Sequence, residues 1–452
     1  MILNILLSIL INIQSSVLPI VKLTGSFDND YHEGSVSLNM PDGTYIENIK
    51  ATIKWRGGTT NTENTHKRNY TIKFSEDQQL FGLRKDNKWI LDAGNADVFR
   101  LRNRIATELW NDIAHKPYYA AQEPKALSGV RGQVVEVYLN DEYMGIYSLT
   151  ECMDRKQLKL KKYNKETGEI RGSLWKAVGW GNSMMWSCEP YDNHSETWGD
   201  FEVKYPELDD VPETDYSTLY EAINFVVNSN DADFISHINK YFDMPVVIDY
   251  YIFLYVLNAY DNRGKNMYWA VYDKTEDKKI TIGVWDLDNS IGQRWTDQWI
   301  PNASSPDYTF ADNMNLYYRL KQLNADSFNE KVLERYQQLR TSSLSTDSLI
   351  MRCQDYYELL KNTGAAQREE ERWSGDSDVR GEEINFQKEI AYITDWITRH
   401  MQYLDNNVFT TNKNISYPSV SKHQTDFYNL NGQRINNPQK GIYIWKGKKV
   451  KR

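Results

Sequence analysis

The sequence predicts an α+β chain in which a β-rich amino-terminal lobe (residues 21–150) leads into a mainly helical lobe (151–410) and then a small β unit after a linker (411–452). Three observations predict it. Apolar residues alternate through much of Val21 to Leu149, and helical periodicity dominates Asn313 to Asn407. Between them lies Phe242 to Gly292, FDMPVVIDYYIFLYVLNAYDNRGKNMYWAVYDKTEDKKITIGVWDLDNSIG, which joins an all-apolar helix, a polar loop and two short strands.

The 452 residues suit about three domains, or one two-lobed enzyme with a tail. With 40% apolar and 13% aromatic residues, the chain can build a large core. A net charge of −9 without a basic stripe argues against nucleic acid as the main partner. Cys152, Cys188 and Cys353 lie far apart, with no spacing for zinc or a disulfide framework.

Met1 to Val21 holds an apolar run, Ile2 to Ile11, followed by Ser15 and Ser16, but no basic start. Residues 1–20 are therefore read as a candidate signal peptide and the protein as exported, the alternatives being a buried first strand or a start assigned too far downstream. Val36, Leu38 and Met40 then alternate, as do Ile49, Ala51, Ile53 and Trp55, around an Asp42-Gly43 turn. Arg56-Gly57-Gly58-Thr59-Thr60 follows, either an ordinary turn or a loop whose N–H groups approach an anion. In Arg68 to Phe74, Tyr70, Ile72 and Phe74 share one face and Lys73 takes the other, where a strand lysine is usually solvated.

Lys88 to Leu91 reads as a strand and Asp97 as the start of a helix to Ile113, with Leu101, Ile105, Leu109 and Ile113 on its core stripe. Glu108 and Arg102 flank that stripe as boundary charges. Gln133 to Leu139 and Tyr143 to Leu149 form a hairpin through Asn140-Asp141, and Thr150-Glu151-Cys152 reads as a hinge. The basic cluster Arg155 to Lys162 reads as a solvated helix face. Gly172 to Tyr205 reads as ordered but irregular, and Asp215 to Asn228 and Ala232 to Tyr241 as helices.

The central helix, Pro245 to Leu257, has Asp243 as its expected N-cap and is too short to span a bilayer. It runs into Asp261-Asn262-Arg263-Gly264-Lys265-Asn266. Strands at Met267 to Tyr272 and Lys279 to Trp285 then deliver Asp286-Leu287-Asp288 to a loop. Carboxylates gathered on such a rim call for a cation or a substrate to neutralise them. A glycosidase pair of acids fits Asp261 with Asp286, whereas an EF-hand does not, because its glycine and closing glutamate are missing. No Gly-x-Ser-x-Gly, His-Glu-x-x-His or Walker A motif occurs. An Asp, an Asn five positions later, a strand pair and a loop Asp match the order of a phosphoryl-transfer site.

The pieces RGGTT with HKRNYTIKF, KWILDAG followed by DVFRLRN, VEVYLNDEYMGIYSLTE, FEVKYPE, NAYDNRGKN, GVWDLDNSIG and DWITRHMQYLD resemble the CotH family of spore-coat-type kinases, over roughly residues 45 to 407. The resemblance implies an atypical, two-lobed protein-kinase-like fold and transfer of the ATP γ-phosphate to Ser or Thr of an exported protein, with Mg²⁺ or Mn²⁺. Carried over, it makes Asp261 the catalytic aspartate, and Asn266, Asp286 and Asp288 the metal set, Asp288 having loop capping as its alternative. Lys73 becomes the phosphate-contacting lysine, with Lys67 just upstream of the same strand. Glu108 becomes its helix partner, while Glu151, Arg56 and Gly57 contact nucleotide. The chain departs from protein kinases in three places: no His-Arg precedes Asp261, Leu-Asp follows Asp286, and the glycine turn lacks Gly-x-Gly-x-x-Gly.

FYNLNGQRI followed by PQKGIYIWKGKKV resembles the carboxy-terminal β unit of exported Bacteroidetes proteins, some of which use it for type IX sorting. A reading from a different class is a surface binding or adhesive protein on a kinase-like scaffold without turnover. A third is transfer of another group, such as AMP.

Overall fold

The alternating apolar residues of the first seven strands bury one face, and the strands wrap until that face is enclosed. They are β1 (Ile20–Thr24), β2 (His32–Asn39), β3 (Tyr45–Arg56), β4 (Asn69–Gln79), β5 (Lys85–Asp92), β6 (Gly132–Leu139) and β7 (Glu142–Thr150). In the order β1-β2-β3-β4-β5-β7-β6 they form a closed barrel, sealed by parallel pairing of β1 with β6. Cross-strand partners Ile53, Ile72 and Trp89 share the buried face, as do Tyr70, Leu91 and Leu149. The computed structural model describes residues 17–58, 61–62, 65–293, 311–376 and 383–410, and the strand residues 427–428, 434–435, 442–445 and 448–451. Residues 1–16 of the candidate signal peptide, Thr59 and Thr60, and most of the tail lie outside these; Ile20 already belongs to β1.

Between β5 and β6 runs α1 (Arg102–Ile113), whose stripe of Ile105, Leu109 and Ile113, with Leu101 at the N-cap, is buried as the periodicity requires. Asp97 does not open the helix directly. It shapes a turn before it, accepting from Arg102 N at 2.7 Å and from the Arg102 guanidinium at 2.6 Å. Arg102 is no boundary charge either: it is fully buried between Asp97 and Glu389. A single turn, α2 (Arg155–Leu158), replaces the longer basic helix face.

A second, five-stranded antiparallel sheet follows in the order β12-β11-β8-β10-β9. Its strands are β8 (Ser173–Ala177), β9 (Thr197–Trp198), β10 (Phe201–Tyr205), β11 (Met267–Val271) and β12 (Thr281–Val284). Gly172 to Tyr205 therefore carries three strands. Their short lengths and the Trp, Gly and Ser between them hid the alternation.

Helices α3 (Ser217–Asn228), α4 (Asp231–Tyr241) and α5 (Met244–Leu257) come next in the chain. Thirteen of the fourteen α5 residues are buried, and Trp110 of α1 meets Tyr250 and Phe253 edge-on at 5.7 and 5.1 Å. Asp243 holds the N-cap position without capping the helix, because its carboxylate accepts from Tyr118 N at 2.9 Å; burial pushes it up to about 6. The helical remainder is α6 (Asn315–Leu323), α7 (Phe328–Arg340), α8 (Thr346–Asn362), α9 (Ala365–Trp373) and α10 (Phe386–Tyr403). Among the described residues no helix is long and apolar enough to cross a membrane.

Met1–Phe409 is one compact unit and Thr410–Arg452 another. The second holds a four-stranded sheet in the order β14-β13-β15-β16, from β13 (Phe427–Tyr428), β14 (Arg434–Ile435), β15 (Ile442–Trp445) and β16 (Lys448–Lys451).

Candidate active site

The strand period that buries Tyr70, Ile72 and Trp89 turns their neighbours outward, onto a cleft of about 1950 Å³. Thr71, Lys73, Lys88, Ile90, Asp92 and Thr150 come from this outer barrel face. Lys73 and Lys88 are cross-strand partners, so two exposed cations stand side by side. Arg56 and Gly57 also line the cleft; Gly57 has φ +124°, a conformation that disfavours any side chain.

The loops that follow α5 and β12 add further acids. Asp261, Asn266, Asp286 and Asp288 all line this same cleft. Helix α5 ends at Asn258 in the left-handed conformation, and the chain turns at once into the Asp261 loop. Asn266 Nδ2 donates to Asp261 Oδ2 at 2.8 Å, and Lys265 Nζ lies 3.4 Å from Asp261 Oδ1. Asn262 ties the two acidic loops together. Its Nδ2 donates to the carbonyls of Trp285 at 2.7 Å, Asn266 at 3.1 Å and Asp286 at 3.3 Å. Asp286 itself sits at φ +58°, a conformation that costs a non-glycine residue about 1–3 kcal/mol and persists where its surroundings enforce it. Asn103 reaches the loop from α1, accepting from Leu287 N at 3.1 Å and donating to Asp92 at 2.7 Å.

These carboxylates are crowded. Burial raises Asp261 above the ordinary range, with Asp286 adding to the rise and Lys265 opposing it. Burial likewise raises Asp286, against the pull of Lys176 on β8. Asp288 is raised well above its usual value, first by burial and then by Asp286 and Asp92. Among the described residues no three His, Cys, Asp or Glu side chains make a metal cage on their own. The donors on the rim are nonetheless all oxygens, the set that hard cations take.

Glu108 and Glu151 are placed elsewhere. Glu108 lies outside the cleft lining, 3.1 Å from Arg104 Nε, and accepts from the Tyr356 hydroxyl of α8 at 2.7 Å. It is not brought to Lys73. Glu151 is buried behind the cleft, where it accepts from Arg84 N at 2.8 Å and Arg131 Nη2 at 2.5 Å, while its neighbours Thr150 and Cys152 face the cleft. Lys67 is fully buried, 3.0 Å from Glu369 and donating to the carbonyls of Ala93 and Ile146, so of the two lysines only Lys73 reaches the cleft.

Three further cleft residues, Lys176, Lys88 and Asp92, have no role assigned by the sequence motifs. Lys176 is the one charge in the apolar run SLWKA, a signal that was visible; Lys88 stands one strand from Lys73. Asp92 closes the KWILD strand and could be placed only once β5 and the Asp286 loop were known to meet.

Comparison with known proteins adds the family. The profile of the CotH kinase protein family matches residues 53–404, well over half of the chain and including every cleft residue named above. No curated protein matches the chain. A mixed α+β fold, one cleft holding the acids of both central loops, and that match agree: the chain belongs to the CotH kinase protein family.

Proposed function

We propose that this protein transfers the ATP γ-phosphate to a Ser or Thr hydroxyl of an exported or surface protein. The single observation that carries the proposal is that Asp261 and Asp286, from separate loops, line one cleft together with Arg56, Lys73, Lys88 and Lys176. In this reading residues 21–150 act as the nucleotide-side lobe and 151–410 as the acceptor-side lobe of a kinase-like arrangement. The acceptor hydroxyl oxygen bonds to the γ-phosphorus, the bond from that phosphorus to the bridging oxygen of ADP breaks, and the hydroxyl proton passes to Asp261. Burial raises the proton affinity of Asp261, which suits that last step.

Asn266, Asp286 and Asp288 would hold Mg²⁺ or Mn²⁺, which when bound neutralises phosphate charge. The residues fit such an ion, because Mg²⁺ takes one or two carboxylates and completes its shell with phosphate oxygens and water, needing no all-protein cage. Lys73 and Arg56, with the open backbone at Gly57, bind the phosphates from the barrel side. The candidate signal peptide and the tail's likeness to type IX sorting units support export.

The test is incubation of the purified protein with ATP, Mg²⁺ or Mn²⁺ and a Ser-rich acceptor, read by intact mass. A phosphate added to the acceptor, abolished in Asp261→Ala, supports the proposal. An AMP-sized addition, or no transfer with either metal, overturns it.

A further inference from the structure

We infer that Asp92, Asn95, Asp288 and Asn289, with the Ser148 hydroxyl beside them, form a second site for a hard divalent cation at the barrel end of the cleft, filled without nucleotide. The inference deepens the proposed function, since it shares Asp288 with the nucleotide metal set, yet it requires neither ATP nor turnover.

Two bridges bring the residues together. Asn103 spans from Asp92 Oδ2 at 2.7 Å to Leu287 N at 3.1 Å, one residue before Asp288. Gln293 Nε2 donates to the Ala96 carbonyl at 2.8 Å and lies 3.5 Å from the Asp288 carbonyl, which joins the loop of Asn95 to that of Asn289. Ser148 is the cross-strand partner of Asp92. All five residues line the cleft.

What marks a ligand is a set of buried side-chain oxygens left without partners. Asn95 Oδ1 and Asn289 Oδ1 have no hydrogen-bond partner, although the residues are only 7% and 8% exposed. The Asn289 amide is oriented by its own bond, Nδ2 donating to Asp288 Oδ1 at 2.8 Å, so the oxygen is the atom left over. Ser148 Oγ, in a residue 2% exposed, also has no partner. Neither Asp92 nor Asp288 forms a salt bridge with a described residue, whereas nearby Asp97 is taken by Arg102. Each buried acceptor left unpaired costs about 1–3 kcal/mol, and two carboxylates beside them add repulsion. One hard cation removes both penalties. Carboxylate, carboxamide and hydroxyl oxygens are the donors that Ca²⁺ and Mn²⁺ accept, with water completing the shell.

The experiment titrates the full-length, nucleotide-free protein with Mn²⁺, following the free-ion signal by electron paramagnetic resonance, and then displaces bound Mn²⁺ with Ca²⁺. Wild type is expected to hold an ion that Asn95→Ala and Asp92→Asn each weaken by about tenfold or more, and that Asn95→Asp tightens. Melting in chelator checks the fold of each variant: Asn95→Ala should stay near wild type there, whereas Asp92→Asn disturbs the bonds that Asp92 accepts from Gly94 N at 3.1 Å and Asn103 Nδ2 at 2.7 Å. Absence of Mn²⁺ binding at millimolar concentration in wild type overturns the inference, as does binding that both Asn95→Ala and Asp92→Asn leave unchanged. Phosphotransfer assays on the same samples separate the two claims. An ion without transfer sinks the proposed reaction alone, and transfer without a nucleotide-free ion sinks this site alone.

Discussion

Replacing Asn262 with alanine should loosen the joint between the two acidic loops while leaving every proposed ligand contact chemically intact. The side chain is 0% exposed, and its amide nitrogen faces the carbonyls of Trp285, Asn266 and Asp286. An NH₂ group has two hydrogens, so two of the three bonds are fully formed at any moment. Losing them leaves two carbonyls to find water from the cleft side, which puts the cost near 1 kcal/mol each, or about 2–3 kcal/mol with the lost packing. Asn262→Asp keeps the shape but turns a carboxylate toward three carbonyl oxygens, and should cost at least as much. Asp286 then loses a restraint on its φ +58° backbone, and displacement by about 1 Å is enough for a loss of some 10²-fold in kcat/KM. Urea unfolding measures the first effect, and phosphate transfer at varied ATP measures the second. Wild-type stability together with wild-type kcat/KM in Asn262→Asp would refute the reasoning.

Lys67 and Lys73 should separate by assay. Lys67→Met strands the buried carbonyls of Ala93 and Ile146 and should destabilise by about 2–3 kcal/mol in urea unfolding, while Glu369 keeps Arg100 and Ile146 N, both at 2.7 Å. Lys73→Ala should leave stability within about 0.5 kcal/mol and raise KM for ATP, because its side chain is exposed on the cleft. Glu108→Gln, held by Arg104 and Tyr356 outside the cleft, should leave KM for ATP unchanged; a rise of the Lys73→Ala kind would return it to the site. Asp243 provides a pH test by comparing urea midpoints of wild type and Asp243→Asn. Its folded value of about 6 lies above the ordinary 3.8, so its stabilising protonation is complete below about pH 4 and is lost as pH rises through 6. Wild type should therefore lose up to about 3 kcal/mol relative to the variant between pH 4 and pH 7, whereas parallel pH profiles would contradict the assignment.

How far the chain could be read depended on the range of the interactions. The strands of the barrel and the stripe of α1 follow local period, and α5 is apolar all round, so Ile72, Ile105 and Tyr250 are buried as alternation, i+4 spacing and an unbroken apolar run require. Closure of the barrel did not, because it rests on Val21 pairing with Val137, far along the chain, and neither strand's pattern names its partner. The acids of the central loops were legible because one helix and one hairpin deliver them within a short stretch. Glu108 misled for the opposite reason: helical period tells which face a residue takes, not that Tyr356 and Arg104 wait there. Strand period alone makes Lys73 an ordinary solvated lysine; only the family resemblance gives it a phosphate to contact, and the fold puts it on the cleft that Asp261 and Asp286 also line. Asn262 shows what residue type alone conceals, since nothing but the fold reveals three carbonyls converging on one amide.

Calorimetric titration of Mg²⁺ or Mn²⁺ with ATP into wild type, Asp261→Ala and Asp286→Ala, paired with intact-mass detection of transfer, tests most directly whether these two acids serve one reaction. The account predicts that Asp286→Ala loses metal-dependent nucleotide binding, and that Asp261→Ala keeps it while losing transfer. Nucleotide binding undiminished in Asp286→Ala, or transfer undiminished in Asp261→Ala, would contradict it.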